Sequence, residues 1–273
     1  KTAHEISLGL VGSEMCIRDR TPADTQRQTS KVSDYPESRV SVQSTTQYLH
    51  NDKAGAGYGL DVLEEGRKLG QAIAQHNLAL LLQKGTGTAV NHPEAANWFL
   101  KAAKQGLIDA QYNIAWMYAQ GVGVKLDRAE SAGWYLRAAE QGHAMAQNNL
   151  GNLFELGQGV KRNYGAAMEW YRLAAAQGLA TAQYNIGWLY ANAIGVARDN
   201  VEAALWYRIA AENGLADAQF SLGALYESGS GLVKNNGEAL RWYRAATENG
   251  HERARTAIQA MLARVVTVVP TAE

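Results

Sequence analysis

The segment from Ala182 to Asp217, AQYNIGWLYANAIGVARDNVEAALWYRIAAENGLAD, recurs on both sides of itself at a spacing of 36 residues. An Ala-Gln pair opens each copy, and a Trp-aromatic pair follows 24 residues later. A fixed period of this length indicates units that cannot bury their apolar faces alone and must stack on their neighbours. Five copies follow one another without insertion, at residues 74–109, 110–145, 146–181, 182–217 and 218–253.

Within each copy the pattern predicts two helices. In the fourth copy the first helix carries an apolar stripe at helical spacing, with Ala182, Ile186 and Leu189 on one face. A second helix presents the Trp206-Tyr207 pair, and glycines between the segments are typical of helix ends. The sequence therefore predicts an all-α solenoid of five helix-turn-helix units, with the shared tryptophans in its core.

The residues outside the five copies are expected to be tails and caps. Residues 5–20, EISLGLVGSEMCIRDR, resemble a translated sequencing-adapter sequence, so we expect residues 1–20 to be non-native. Residues 21–53 are polar and lack a helical period, which is typical of a flexible tail or linker. We expect an N-terminal capping half-repeat at 54–73, because Gly70 falls 36 residues before Gly106, a C-terminal capping helix at 254–264 and a tail at 265–273.

Composition excludes several kinds of protein. The 26 basic and 26 acidic side chains balance, which gives no bias toward nucleic acid or a membrane surface. No apolar run reaches the roughly 18 residues that a membrane span needs, and the single cysteine, Cys16, excludes an internal disulfide or a Cys-rich metal site. Because the chain begins with Lys1, we expect its natural start to be missing. The compartment stays open between the cytoplasm and a bacterial periplasm or cell envelope.

The third copy shows a resemblance to a known repeat family. It carries Leu150-Gly151, Gly157-Gln-Gly159-Val160, Trp170-Tyr171 and Ala174-Ala175 at the spacing of Sel1-like repeats, which are a branch of the tetratricopeptide-like solenoids. Departures are local, such as Ala193 in place of a loop glycine. The resemblance implies a right-handed superhelix that acts as an adaptor or scaffold for other proteins, mainly in bacteria. It implies no catalytic residues and no cofactor.

A candidate binding face lies where the copies differ. The third, seventh and tenth places of each first helix share one helix face opposite the apolar stripe. By analogy with tetratricopeptide stacks, this face would line a concave surface and bind a peptide or helix of a partner protein. An aromatic residue here could instead pack against the neighbouring copy. The candidate residues are Tyr112, Trp116, Asn148, Asn152, Glu155, Tyr184, Trp188, Phe220 and Glu227.

Other functions have weaker support in the sequence. It holds no S-x-x-K, G-x-S-x-G, H-E-x-x-H or P-loop motif, and its six histidines lack metal-ligand spacing. We therefore expect a protein that is not an enzyme and holds no metal or cofactor. The basic residues of the inter-helix loops alternate with Asp127 and Asp199, which favours a solvated face over nucleic-acid binding. Two alternatives stay open: a structural spacer whose binding function lies in a missing N-terminal region, and a β-lactam-binding or hydrolase-type relative.

Overall fold

The computed structural model describes residues 60–86 and 89–266, and all of these lie in helices or in the short connections between them. The predicted segments 1–20 and 21–53, and most of the predicted tail, fall outside this part of the chain. Within it there are eleven helices and no strand, which confirms the predicted all-α solenoid. The helices are α1 (Leu60–Lys84), α2 (His92–Lys104), α3 (Ile108–Gln120), α4 (Arg128–Glu140), α5 (Ala144–Leu156), α6 (Tyr164–Ala176), α7 (Ala180–Asn192), α8 (Asn200–Glu212), α9 (Ala216–Ser228), α10 (Asn236–Glu248) and α11 (Glu252–Val266).

The helices fall into two compact units. The N-terminal unit ends at Ile114 and includes Val122–Val124, and the C-terminal unit holds Ala115–Gly121 and continues from Lys125. In each copy an odd-numbered helix is followed by an even-numbered one. We call these the A helix and the B helix of the copy.

The first helix differs from the sequence prediction. The expected half-repeat at 54–73 would end in a turn at Gly70, as each B helix ends before its glycine. Instead α1 runs without interruption from Leu60 to Lys84 and passes through Gly70. Gly70 does not adopt the positive φ of Gly106, which allows the helix to continue through it.

Each B helix begins at a polar residue that caps its free N–H groups. Asp127 accepts hydrogen bonds from the backbone N–H groups of Ala129 and Glu130 at 3.0 Å. Such a cap satisfies backbone donors that have no partner within the helix. The N-cap residues of the five B helices are Asn91, Asp127, Asn163, Asp199 and Asn235.

The core of each copy forms where the B-helix aromatic residue meets the A helix. Tyr207 is buried, and a Cβ added to Gly187 would lie 2.8 Å from its ring. Glycine at this place therefore permits a close approach of the two helices. The tryptophans of the shared pair are less uniform than predicted, since Trp134 and Trp170 are buried but Trp206 is half-buried.

A row of buried glutamines joins successive copies, and the sequence analysis did not anticipate its role. Gln183 donates from Nε2 to the carbonyl of Ala175, at the end of the preceding B helix, at 3.4 Å. Its Oε1 accepts from Asn213 Nδ2, just after the B helix of its own copy, at 3.0 Å. The Ala175 carbonyl also accepts from the backbone N–H of Gly178 at 2.9 Å, so the glutamine adds a second, side-chain contact at the end of the preceding B helix. Because this amide must reach one particular carbonyl, we expect it to favour one register between copies. Equivalent donations run from Gln111 to Ala103, from Gln147 to Ala139 and from Gln219 to Ala211.

The loop after α7 contains a testable source of strain. Ala193 has φ 58° and ψ 41°, whereas glycine holds the same left-handed position after α5 at Gly157. This conformation is costly for a residue with a Cβ. We therefore expect Ala193→Gly to raise the free energy of unfolding by about 1 kcal/mol, measured by urea denaturation.

The matched control is Gly157→Ala, which places a Cβ in the same conformation and 3.1 Å from Arg162 Cβ. It should lower the free energy of unfolding. An Ala193→Gly variant that is no more stable than the parent would show that the αL cap of α7 is not strained.

Candidate functional site

The predicted face is built mainly from α5 and α7 in the C-terminal unit. Asn148 and Asn152 lie one turn apart on α5, and Tyr184 and Trp188 lie one turn apart on α7. A hydrogen bond of 2.9 Å from Asn185 Nδ2 to Asn148 Oδ1 connects the two helices. We call the surface formed by these five residues the α5–α7 face.

The amide that connects the helices belongs to a longer network. Asn148 Nδ2 donates to Asn149 Oδ1 at 3.4 Å, and Asn149 Nδ2 donates to the hydroxyl of Tyr135 at 3.2 Å. The network therefore runs from the B helix of the second copy to the A helix of the fourth. Its members Asn149 and Asn185 were missed by the sequence analysis, although asparagine recurs at that place as Asn77, Asn113, Asn149 and Asn185.

Beside the network, two predicted site residues surround a buried tyrosine. The hydroxyl oxygen of Tyr171 lies 2.6 Å from both Asn152 Oδ1 and Glu155 Oε2. Glu155 is only 3% exposed, and its carboxylate therefore faces the core and accepts from this hydroxyl. Asn152 is half-buried and stays at the surface.

Each of the two aromatic side chains of the face is packed on one side and exposed on the other. Trp188 is half-buried and packs against the apolar cores of the third and fourth copies and of the fourth and fifth. Tyr184 is also half-buried, and its ring centroid lies 5.3 Å from that of Tyr207. Burial raises the pKa of Tyr207 well above its usual value, and the neighbouring Tyr184 raises it further.

Two polar atoms of the face have no hydrogen-bond partner within residues 60–86 and 89–266. They are the outward-facing atom of the Asn152 amide, whose other atom lies 2.6 Å from the Tyr171 hydroxyl oxygen, and the amide oxygen of Asn185, whose nitrogen donates to Asn148. Neither belongs to the buried polar atoms that lack a partner in the described residues. The face thus offers the unused part of the Asn152 amide and one acceptor, Asn185 Oδ1, beside Tyr184 and Trp188.

Asn148 is the buried member of the α5–α7 face, with 8% of its surface exposed. The remaining predicted residues lie in other surroundings. Tyr112, in the N-terminal unit, is also buried, whereas Trp116 is half-buried. Phe220 stacks on His251 with ring centroids 4.4 Å apart. Glu227 accepts from the Tyr243 hydroxyl at 2.8 Å and pairs with Arg264 at 2.9 Å, so it ties the last copy to α11.

In the first copy, the place that Tyr112 and Phe220 occupy in later copies holds a buried histidine, His76. His76 is 4% exposed, packs edge-on against Phe99 and has no hydrogen bond at Nδ1 in the described residues. Burial lowers the pKa of His76 below 6.5, and the nearby Asp109 opposes this shift only in part.

This burial predicts a pH dependence of stability. Below pH 6.5 the unfolded chain binds a proton at His76 more readily than the folded chain does, so stability should fall as the pH falls toward the folded-state pKa. In His76→Phe, which copies the residue at Phe220, this loss should be absent. Urea unfolding of both proteins at pH 7.5 and pH 5 measures the difference. An equal loss of stability in the two proteins would show that His76 is not its source.

The described residues were also compared with what a membrane-spanning helix and a metal site require. In residues 60–266, apart from the gap at 87–88, no helix is both long and apolar enough to cross a membrane. Over the same residues there is no group of three or more metal-ligating side chains.

The comparisons with known proteins agree on one family. The Sel1 repeat model matches residues 72–107, 108–143, 144–179, 180–215 and 216–251. The fold is similar to a Sel1 repeat protein from Oxalobacter formigenes, with 36% identity and a TM-score of 0.67 over 71% of this chain and 76% of that one. It is also similar to c5321, a protective antigen of uropathogenic Escherichia coli with an SLR fold, at 28% identity and a TM-score of 0.70.

The second of these similarities covers 90% of this chain but only 53% of the Escherichia coli protein. No curated protein matches the sequence. The family model covers more than half of the chain in five consecutive repeats, at the period found in the sequence. The chain therefore belongs to the Sel1 repeat family, whose repeats generally mediate interactions between proteins.

Proposed function

We propose that this protein is an interaction scaffold that binds an extended segment of a partner protein on the α5–α7 face. The observation that carries the proposal is the unused part of the Asn152 amide and the unused amide acceptor of Asn185 beside the half-buried Trp188. Tryptophan and tyrosine are enriched among the residues that dominate binding energy at protein interfaces.

The chemistry of the face favours an extended segment over a helix. Peptide units of an extended chain present unpaired N–H and C=O groups, whereas those of a helix are paired within it. The outward-facing part of the Asn152 amide can pair with one main-chain group, and Asn185 Oδ1 can accept from a main-chain N–H. Tyr184 and Trp188 would then contact an apolar side chain of the same segment.

The variation between copies also supports a binding role. The place of Trp188 holds Leu80, Trp116, Asn152 and Ala224 in the other copies, so stacking of the repeats does not require an aromatic residue there. Places that serve only the packing of one copy on the next keep the same residue type, as Gln75 and its four equivalents do.

Selection from a phage-displayed library of random 12-residue linear peptides tests the proposal. We expect enriched peptides whose affinity falls about 30-fold in Trp188→Ala, as for a hot-spot residue worth about 2 kcal/mol. Asn152→Ala should also weaken binding, because it removes the amide that would pair with the main chain of the peptide. The matched control is Leu205→Ala, which truncates an exposed apolar residue on a B helix and should leave affinity unchanged.

Trp188 also packs against two apolar cores, so its truncation could unfold the protein. Thermal denaturation of each variant shows whether weaker binding comes from loss of folding. A library that yields no binder, or binders that Leu205→Ala weakens as much as Trp188→Ala, would contradict the proposal. The first result would favour a spacer role for these repeats.

A further inference from the structure

The N-terminal edge of the repeat stack exposes two leucines whose equivalents in the other copies are buried or, at Leu225, half-buried. On α1, Leu78 and Leu81 are 38% and 44% exposed. Their equivalents in the next four copies are core residues, and Ile114, Leu150, Ile186 and Leu222 are at most 1% exposed. The apolar stripe of the first A helix is therefore complete in sequence but uncovered in the structure.

A missing hydrogen bond marks the same edge. In the other four copies the buried glutamine donates to a carbonyl eight residues earlier, at the end of the preceding B helix. Gln75 accepts from Gln105 at 2.7 Å, as Gln147, Gln183 and Gln219 accept from the residue at the same place in their copies. Its Nε2 donates to no group in the part of the chain that the structure describes. The edge thus lacks both an apolar cover and a carbonyl acceptor.

The interior copies show what fits such an edge. Ile186 and Leu189 of α7 share one buried cluster with Ala174 and Ala175, from the last turns of the preceding B helix. Ala175 also supplies the carbonyl that Gln183 contacts. The missing occupant is therefore the C-terminal part of a B-type helix, which joins the next A helix through a short turn at a glycine.

The chain carries such a segment immediately before the edge. Gly70 is in register with Gly106, Gly142, Gly178, Gly214 and Gly250, which have φ between 82° and 92° at the turn from a B helix to the next A helix. By sequence register, position 63 corresponds to the buried Phe99 and position 66 to Ala102, and these places hold leucine and glycine. Residues 58–70 thus have the length and the terminal glycine of a degenerate B helix.

We propose that residues 60–70 fold back at Gly70 and cap the N-terminal edge as a half-repeat, in competition with the straight helix α1. The folded-back arrangement covers Leu78 and Leu81 and places a helix C-terminus beside Gln75. The cost is a break in the helical hydrogen bonds around Gly70, where glycine already weakens the helix. Terminal caps of this kind keep the last interface of a repeat stack from solvent.

Substitution of Gly70 by alanine distinguishes the two arrangements, because it should change the stability of the protein in opposite directions. In the straight helix a Cβ at Gly70 meets nothing within 4 Å, so Gly70→Ala should stabilise the protein. In the folded-back arrangement Gly70 must adopt a positive φ, so Gly70→Ala should destabilise it. We expect a Tm about 2–4 °C below that of the parent.

Two variants calibrate this result. Gly106→Ala adds a Cβ at a positive φ with nothing within 4 Å, so it should lower the Tm. Gly133→Ala adds one inside α4, at an exposed place that is equally open, so it should raise the Tm. A Gly70→Ala variant that follows Gly133→Ala instead of Gly106→Ala would overturn the proposal.

A cysteine pair provides a second test that does not depend on stability. Positions 63 and 78 are 15 residues apart, which is about 22 Å along a straight helix and too far for a disulfide. In a Cys16→Ser background, Leu63→Cys with Leu78→Cys should give mainly an intramolecular disulfide under mild oxidation. A mainly intermolecular disulfide would assign the edge to a second copy, and an absence of disulfide would leave it uncovered; either result would overturn the proposal.

Discussion

The buried glutamines of α3, α5, α7 and α9 make the contact on which the account of the repeat register depends. Apolar packing between alanine-rich helices has little direction, because small side chains allow helices to slide past one another. A side-chain amide that must reach one particular carbonyl removes that freedom. Gln147, Gln183 and Gln219 each contact the end of the preceding B helix and the residue that follows their own B helix. One side chain therefore positions three consecutive helices.

The residues that stack the copies are different from the residues proposed to bind a partner. Places that pack one copy on the next vary little between the copies: the glutamine and the alanine before it are constant, and the place of Ile186 holds only leucine or isoleucine. Places on the outer face of the A helices are released from that restriction. In the third and fourth copies they hold the asparagines and aromatic residues of the α5–α7 face. The constant scaffold thus presents a surface whose chemistry differs from copy to copy.

Periodicity in the sequence was sufficient to predict the helices and most places of the core, and the residues of the third copy carried the resemblance to the family. It could not assign the role of the recurrent glutamine, because a sequence shows that a polar residue recurs but not which carbonyl it meets. For the same reason it placed Glu155 on the binding face, although the carboxylate turns inward to Tyr171. The exposure of Leu78 also escaped prediction, since it depends on the neighbour that α1 lacks and not on the residue itself.

The central claim is that the glutamine row holds successive copies in register, and Gln183→Leu tests it most directly. Leucine has a similar size but cannot bond to Ala175 or Asn213. We expect urea denaturation to show a free energy of unfolding about 1–3 kcal/mol below that of the parent. The exposed Gln120→Leu serves as control and should change it by less than about 0.5 kcal/mol. Equal effects of the two substitutions would contradict the claim and leave apolar packing alone to set the register.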